Sequence, residues 1–327
     1  MKLSILIPTY NRCQDLKKNL DMLSRYIIHD GLETEVCILV SDNASTDITP
    51  SIVQSFTDSK VHIEYYRHNQ NFGYSKNVLY ILSKATTDWV MLLGDDDYLE
   101  PWYIQECLNQ IEKRPDLGCI IANYMDYFPA TNEYGKLREE NCETEYYKAG
   151  FDACLKNIWR AHQLSGLCFR RANVVEEYYN RKMDNLYPQM FFVGYNSLKY
   201  DVIHFGEKCL VVSGVLQSQK DWNYSSDGLM NDICENFKNL EIDKKQRAIL
   251  ESAFNRRQQR YLWACSNVNE GIDSILAADN ITLKGKYYIS HQFLKVNCYA
   301  GKKNRFWFYI VAKIVLIKNL LHGKVGF

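Results

Sequence analysis

Short apolar runs alternate with helical patterns along the first hundred residues. Four strands are predicted where apolar, often β-branched residues follow one another, at 2–7, 35–40, 61–66 and 89–93. The segments between them carry apolar residues at helical spacing, as at Leu16, Leu20 and Leu23. Alternation of strand and helix with short connections predicts an α/β fold with a largely parallel sheet that is buried on both faces.

The pattern becomes less regular after this region. A hairpin turn is predicted at 131–136, and helices are predicted from residue 172 and over 187–200. Further strands are predicted at 119–125, 164–169, 202–205 and 209–212. From Ser218 onward, long helical patterns dominate. The predicted organisation is therefore an α/β domain over 1–215 and a helical region over 216–327.

Composition and charge add little about partners until their distribution is considered. The 327 residues are 46% hydrophobic, and 39 basic residues balance 39 acidic ones. After Asn280, however, there are nine Lys or Arg residues and no acidic residue. This asymmetry indicates that the C-terminal part of the chain binds an anionic partner, either a membrane surface or a nucleic acid. Eleven cysteines without paired zinc spacing, and no secretory signal pattern, are typical of reduced cytosolic thiols.

The basic C-terminal tail, at about 302–327, contains an almost continuous apolar segment over 304–321, interrupted by Lys313. Its length is near the lower limit for a membrane span, so a helix lying at the surface of an anionic membrane is predicted. Nucleic acid is not an expected partner. The alternative is a helix docked on the protein's own core or in a homo-oligomer interface.

Polar clusters follow the predicted strands at the point where each strand ends. They are Pro8–Arg12, Asp42–Ser45, Asn69–Asn77 and Gly94–Asp97. Any one of them has the composition of an ordinary turn. Ligands of open parallel sheets bind at the carboxyl ends of the strands, so four clusters at one edge favour a binding site. No glycine-rich phosphate motif follows a strand, which argues against dinucleotide-binding domains and P-loop hydrolases.

The sequence LLGDDD, at 92–97, places Asp95, Asp96 and Asp97 directly after a buried strand. Adjacent carboxylates repel one another and are costly to desolvate unless a cation binds them. Oxygen ligands of this kind suit Mg²⁺ or Mn²⁺, which commonly also bind substrate phosphates. The alternative is a solvated loop that caps the helix after Pro101.

Together, SILIPTYNR, SDNASTD, NQNFGYSKN and LLGDDD resemble, in order and spacing, the family 2 glycosyltransferases with the GT-A fold, a Rossmann-like sheet flanked by helices. LSGLCFRR, before residue 172, fits more loosely. The chain looks most similar to bacterial polysaccharide and O-antigen enzymes, including abequosyltransferase-like sequences.

The resemblance implies an inverting transfer from a nucleotide-diphosphate sugar with a divalent metal, Mn²⁺ or Mg²⁺. Asp95 and Asp97 correspond to the metal-binding residues, although Gly94 stands where the family usually has its first aspartate. The residues implied in nucleotide binding are Pro8, Thr9, Tyr10, Asn11, Arg12, Asp42, Asn71, Gly73, Lys76, Asp95 and Asp96. Among them, Asp42 corresponds to the residue that hydrogen-bonds the nucleobase.

An inverting transfer also needs a general base for the acceptor hydroxyl. The family's usual carboxylate position corresponds to the segment Tyr187–Met190, which contains none. Asp184, five residues before Gln189, is the candidate, and Asp201 is its rival. The alternative interpretation of Asp184 is a solvated loop charge.

These observations predict a sugar transferase that acts on a hydroxyl of a glycan acceptor, in lipid-linked form, in bacterial surface polysaccharide synthesis such as O-antigen or capsule. Its expected location is cytoplasmic, peripheral at the inner face of the cell membrane. A nucleotidyltransferase and a non-catalytic binding protein with the same fold are the alternatives.

Overall fold

In the computed structural model, the residues described are 1–56, 59–214, 225–259 and 268–300. The chain divides into two compact units, Met1–Asp184 with Phe192–Gln219 and Asn185–Phe191 with Lys220–Phe327. The predicted domain boundary near residue 215 and the predicted membrane tail at 302–327 both lie outside the described residues.

Ten strands of the first unit form one sheet in the described part of the chain, in the order β3-β2-β1-β4-β9-β6-β10-β5. In addition, β7 pairs with β6 and β8 pairs with β10. The strands are β1 Leu3–Thr9, β2 Val36–Asp42, β3 His62–Arg67, β4 Trp89–Leu92, β5 Tyr98–Leu99, β6 Leu117–Phe128, β7 Glu133–Leu137, β8 Glu145–Tyr147, β9 Leu167–Arg170 and β10 Asp201–Ser213.

The helices of the first unit flank this sheet, and α7 crosses the division between the units. They are α1 Cys13–His29, α2 Thr49–Gln54, α3 Tyr74–Lys84, α4 Tyr103–Lys113, α5 Phe151–Asn157, α6 Val174–Asn180 and α7 Pro188–Lys199, with a 3₁₀ turn at Arg160–His162. In the described part of the second unit the helices are α8 Met230–Lys238, α9 Lys244–Gln258, α10 Val268–Ala277 and α11 Leu283–Ala300.

The core of the first unit explains why the sequence pattern was informative. Strands β1, β2, β3 and β4 are parallel neighbours, and β1 and β2 are almost wholly buried. The apolar stripe of α1, predicted from Leu16, Leu20 and Leu23, packs in the same buried cluster as Ile5 of β1 and Ile38 of β2. A helix covering each face leaves no polar face on the central strands, so their sequences are continuously apolar.

Several details of the sheet differ from the sequence prediction. Strand β9 lies antiparallel between β4 and β6, and the short strands β5 and β8 were not predicted. The two strands predicted at 202–205 and 209–212 are one strand, β10, whose register with β6 shifts between His204 and Lys208. The polar residues around this irregularity resembled a turn because a bulge interrupts the alternation of a strand.

All the regular elements in the described part of the second unit are helices, in agreement with the predicted C-terminal helical extension. Helix α9 begins with a capping box, in which Asp243 accepts from the backbone of Gln246 and the side chain of Gln246 accepts from Asp243 N. None of the helices within the described ranges combines the length and the apolar character that crossing a membrane requires.

Candidate functional site

The strand ends of β1 and β2 meet at the same edge of the sheet, as their parallel order requires. Asn11, at φ 53°, follows β1. Its backbone N donates to Ser45 Oγ at 2.9 Å, and its Oδ1 accepts from Thr46 N at 2.7 Å. The PTYN and SDNAS clusters predicted from the sequence are therefore one structure, joined by hydrogen bonds.

The loop before α3 is fastened to the same edge by Asn43, which is buried. Its Nδ2 donates to Asn71 Oδ1 at 2.8 Å and to Gly73 O at 3.2 Å, and its Oδ1 accepts from Phe72 N at 2.9 Å. Gly73 has φ 87°, a left-handed backbone conformation that residues with a side chain rarely adopt. Sequence reasoning did not assign a role to Asn43, because an Asn in a turn-like cluster looks ordinary.

Asp42 holds the end of β2 in place from inside the protein. It is 0% exposed. Its Oδ1 accepts from Ser45 N at 2.7 Å, and its Oδ2 accepts from Tyr65 Oη at 2.6 Å and lies 3.3 Å from Arg67 Nε. Because its carboxylate is fully buried, Asp42 could accept a hydrogen bond from a nucleobase only if the groups that cover it moved.

Several predicted nucleotide-binding residues are exposed around this buried framework, and Thr9 is buried beneath them. Pro8, the next-to-last residue of β1, is half-buried. Lys76 lies in the first turn of α3 and is exposed. The exposed members are Tyr10, Asn11, Arg12, Asn71, Gly73 and Lys76.

Asp97, the last of the three aspartates, is 5% exposed and accepts hydrogen bonds from three protein groups. Its Oδ2 accepts from Ser165 Oγ at 2.5 Å and from Gln163 Nε2 at 3.0 Å, and its Oδ1 accepts from Ser213 N at 2.8 Å. Ser165 Oγ also accepts from Gly94 N at 2.8 Å. The segment before β9 therefore supports the acidic turn, which sequence reasoning missed because these residues are about 70 positions away.

Asp95 and Asp96 face the loop after β1. Asp95 Oδ2 accepts from Thr9 Oγ1 at 2.7 Å, and its Oδ1 lies 3.3 Å from Arg12 Nη1. The same Arg12 nitrogen donates to Asp96 Oδ2. In this structure the Arg12 guanidinium is thus the counter-charge for two of the three carboxylates.

The backbone of the acidic turn is fixed by Asn19, a buried residue of α1. Asn19 Nδ2 donates to the carbonyl oxygens of Gly94, at 3.0 Å, and of Asp97, at 2.9 Å. An Asn inside the apolar stripe of an amphipathic helix is the sequence signal that could have identified it, because buried polar groups require partners.

The acidic turn is electrostatically costly. Burial raises the pKa of Asp95 to about 7, although Arg12 opposes the shift. Burial and the neighbouring charge of Asp96 likewise raise the pKa of Asp97 to about 7. Near neutral pH these carboxylates at one edge of the sheet are therefore only partly ionised, and a nearby cation would favour their charged form.

This arrangement predicts a pH dependence of stability. From about pH 4 to about pH 7 the folded protein holds protons on Asp95 and Asp97 that the unfolded chain has released, so the free energy of unfolding should fall as pH rises. One pKa unit corresponds to about 1.4 kcal/mol, so the total loss is on the order of a few kcal/mol. Urea unfolding at pH 5 and pH 8, in chelator, measures it.

The Asp95→Asn variant is the control for this prediction, because it removes one of the two titrating groups. Its stability should change less between pH 5 and pH 8 than that of the unmodified protein. Equal pH dependence in both proteins would show that the fall in stability has another origin.

The acidic turn fits a divalent cation. Carboxylate oxygens are hard ligands of the type that Mn²⁺ and Mg²⁺ prefer, and a cation beside Asp95 and Asp97 would offset the cost of burying their charges. Oδ2 of Asp97 already accepts two hydrogen bonds, whereas Oδ1 accepts one. Because a carboxylate oxygen has two lone pairs, Oδ1 is the Asp97 atom with capacity for a metal.

The two candidate bases predicted from the sequence occupy different places. Asp184 is exposed in the connection between α6 and α7. Asp201 begins β10, whose start pairs with the start of β6 at the edge opposite the acidic turn. It accepts from Lys148 Nζ at 2.8 Å and from Ala149 N at 3.0 Å. These contacts favour a structural role for Asp201.

A third carboxylate, Asp126, was not considered at the level of sequence. It is half-buried near the carboxyl end of β6, and burial raises its pKa, opposed by the charge of Arg138. Burial raises the pKa of Tyr124 to about 12, and the charges of Asp126 and Asp97 contribute to that shift. Asp126 and Asp97 are therefore close to a common neighbour.

The sheet and its flanking helices have the GT-A fold. The fragment 1-349 of S. aureus TarS, solved in complex with UDP-GlcNAc, superposes with a TM-score of 0.67 at 15% identity, covering 99% of this chain and 92% of the fragment. A mannosyltransferase of Pyrobaculum calidifontis, solved with GDP-Man and Mn²⁺, gives a TM-score of 0.54 at 14% identity, covering 97% of this chain and 87% of the other.

The family follows from the sequence match. Residues 4–179 match Glycosyl transferase family 2, which is more than half of the 327 residues, and the chain belongs to that family. The resemblance of its four strand-end motifs and the predicted α/β GT-A fold are thereby confirmed.

Two curated relatives match the chain over 100 residues. The abequosyltransferase RfbV of Salmonella typhimurium is 36% identical over 30% of this chain and 29% of its own length. The GalNAc(5)-diNAcBac-PP-undecaprenol beta-1,3-glucosyltransferase of Campylobacter jejuni is 37% identical over 30% of each protein. The chain thus spans less than a third of the length of these two relatives.

Proposed function

We propose that this protein transfers a sugar from a nucleotide-diphosphate sugar to a hydroxyl group of a glycan acceptor, with inversion at the anomeric carbon. The single observation that carries the proposal is the joining of all four strand-end clusters at one sheet edge around buried carboxylates with raised pKa values. Membership of the family and the names of its relatives support it.

The exposed residues above the buried framework would hold the donor. Tyr10 and the loop fastened by Asn43 would surround the nucleoside, and Lys76 could approach the phosphates. Asp95 and Asp97 would hold Mn²⁺ or Mg²⁺, with Asp96 beside them, and such an ion neutralises negative charge on a departing diphosphate. Arg12, which contacts Asp95 and Asp96 here, would keep these carboxylates oriented before the donor arrives.

A carboxylate on the acceptor side would accept the proton of the attacking hydroxyl. We propose Asp184 for this role, with Asp126 as the alternative that the structure adds. Asp126 has a pKa raised by burial, which suits a base that works near neutral pH.

The acceptor that we propose is a lipid-linked glycan of bacterial surface polysaccharide synthesis, such as O-antigen or capsule. The name of the Campylobacter relative describes an undecaprenol-linked acceptor. The basic, apolar composition of 302–327 supports a peripheral position on an anionic membrane, because such segments are attracted to its surface. A homo-oligomer remains the alternative use of that segment.

A thermal-shift screen tests the proposed donor. A nucleotide diphosphate or its sugar, present at 100 times its dissociation constant, should stabilise the protein by about 2.7 kcal/mol. The stabilisation should depend on Mn²⁺ or Mg²⁺ and disappear in chelator, because the phosphates and the acidic turn are both negative. Nucleosides without phosphate are the control, and metal should not change their effect.

Two results would contradict the proposal. One is equal stabilisation by nucleotide diphosphates with and without divalent metal. The other is release of inorganic diphosphate rather than a nucleotide diphosphate during turnover, which would indicate a nucleotidyltransferase.

A further inference from the structure

A cysteine, a glutamate and a histidine lie together on β10 and the segment that covers it, away from the acidic turn. One ligand atom each of Cys142, Glu145 and His204 lies within 4.8 Å of the other two. Within the described ranges they are the sole group of three or more such residues at this separation. Sequence spacing gave no indication of it, because the segment containing Cys142 and Glu145 is distant in sequence from His204.

The distance between the sulfur and the nitrogen ligand atoms suits a tetrahedral metal ion. Cys142 Sγ lies 3.7 Å from His204 Nδ1. Zinc bonds of about 2.3 Å to sulfur and about 2.0 Å to nitrogen, at a tetrahedral angle, place these two atoms about 3.5 Å apart. Thiolate, imidazole and carboxylate are the ligand types that zinc commonly takes from proteins.

His204 is oriented as a metal ligand would be. Its side chain is 1% exposed, and its Nε2 lies 3.2 Å from Glu139 Oε1. Because Glu139 is an acceptor, this contact places the ring proton on Nε2 and leaves the Nδ1 lone pair facing Cys142 Sγ. Metal-binding histidines almost always donate their other ring N–H to a carboxylate or carbonyl in this way.

Glu139 is itself fixed and neutralised. Arg160 Nε donates to its Oε1 at 2.6 Å and Arg160 Nη2 to its Oε2 at 2.8 Å. Arg160 and the hydrogen bond from His204 hold the pKa of Glu139 at about 2 despite its burial. Two anionic ligands, Cys142 and Glu145, would then balance the two charges of a zinc ion without competition from Glu139.

The other two ligands are also positioned by the fold. Tyr147 Oη donates to Glu145 Oε2, which leaves Oε1 of that carboxylate for a metal. A Cβ at Gly206 would lie 2.0 Å from Cys142 O, so only glycine allows the Cys142 backbone to lie directly against β10. Asn123 adds two hydrogen bonds, from its Nδ2 to Glu139 O at 3.0 Å and Gly206 O at 2.8 Å.

We propose that Cys142, Glu145 and His204 bind one Zn²⁺ ion, with water as the fourth ligand, and that this ion fastens the segment 139–147 to β10. Binding forms the sulfur–zinc bond as the S–H bond of Cys142 breaks, and the proton passes to the buffer. Because a coordinating thiol must lose its proton, proton release should accompany zinc binding at neutral pH.

Metal titration of the full-length protein tests this site. After treatment with chelator and its removal, one Zn²⁺ per chain should bind in competition with a chromogenic chelator. Cys142→Ala and Glu145→Gln should each weaken binding at least about tenfold, comparable to the smallest losses seen for outer-shell partners. Both residues are on the solvent side of the cluster, with Cys142 half-buried and Glu145 exposed, so the fold should tolerate the changes.

Cys13→Ala is the matched control, because Cys13 is the other half-buried cysteine among those described. It should bind zinc as the unmodified protein does. With Co²⁺ as a spectroscopic probe, a thiolate-to-cobalt charge-transfer band should be present in the unmodified protein and in Cys13→Ala, and absent from Cys142→Ala. Failure of the unmodified protein to bind zinc, or a cobalt band that persists in Cys142→Ala, would overturn the proposal.

Discussion

Asp97→Asn is expected to reduce sugar transfer at saturating donor by at least about 10²–10³-fold while the protein remains folded. Asparagine has nearly the same shape as aspartate, so the packing around β4 and β9 should persist. It has no charge, however, and therefore cannot contribute to holding a cation beside the donor diphosphate. The measurement is steady-state transfer together with thermal unfolding of the purified variant.

We also expect the Asp97→Asn variant to remain folded, for the following reason. Asp97 accepts from Ser165, Gln163 and Ser213, and an amide can replace only part of this acceptor capacity, which costs about 1–3 kcal/mol. Removing a buried carboxyl whose pKa is raised to about 7 offsets that cost above neutral pH. The two effects oppose one another, so stability at pH 8 should change little.

Asp201→Asn is the matched control, since it makes the same chemical change at the opposite edge of the sheet. Transfer should be retained in this variant, because the Asp201 side chain accepts from Lys148 and Ala149 at the edge of the sheet opposite the acidic turn. Turnover of Asp97→Asn within tenfold of the unmodified protein would rule out the assignment of Asp97 to the metal.

Removal of the catalytic base is expected to lower kcat by roughly 10²–10⁴-fold without weakening donor binding. The proposed residue is Asp184, and because it is exposed, Asp184→Asn should unfold at the same temperature as the unmodified protein. The donor affinity measured by calorimetry with Mn²⁺ should also be unchanged, since the base acts on the acceptor hydroxyl.

Asp126→Asn distinguishes the two candidate bases. If Asp184 is the base, Asp126→Asn should keep most of its transfer activity and the acidic limb of its pH–rate profile. Loss of that limb in Asp126→Asn, with normal activity in Asp184→Asn, would assign the role to Asp126. Normal turnover in both variants would show that neither Asp126 nor Asp184 is the catalytic base.

Much of the candidate site could be predicted from the sequence because its parts are local. The acidic turn at 94–97 follows an apolar strand, and the carboxyl ends of parallel strands share one edge of a sheet. These two facts bring Asp95 near Thr9, as the structure shows. Neither requires knowledge of a contact between distant residues.

The supports of the site could not be predicted in the same way. Ser165 and Gln163 reach Asp97 because β9 inserts antiparallel between β4 and β6, and no local pattern indicates where a strand inserts. Asp42 was predicted to meet the nucleobase, yet its contacts are with Ser45, Tyr65 and Arg67 inside the protein. A motif identifies which residues occur together in the sequence, whereas burial decides which of their atoms can contact a ligand.

By itself, the sequence determined the α/β architecture, the family and the edge of the sheet where the chemistry is expected. It could do so because hydrophobic periodicity and turn composition are properties of neighbouring residues. Only the tertiary structure decided that Arg12 contacts Asp95 and Asp96, that Asp97 and Asp126 both raise the pKa of Tyr124, and that Cys142, Glu145 and His204 meet. Those relationships depend on strand order and register, which place residues side by side that the chain separates by up to about a hundred positions.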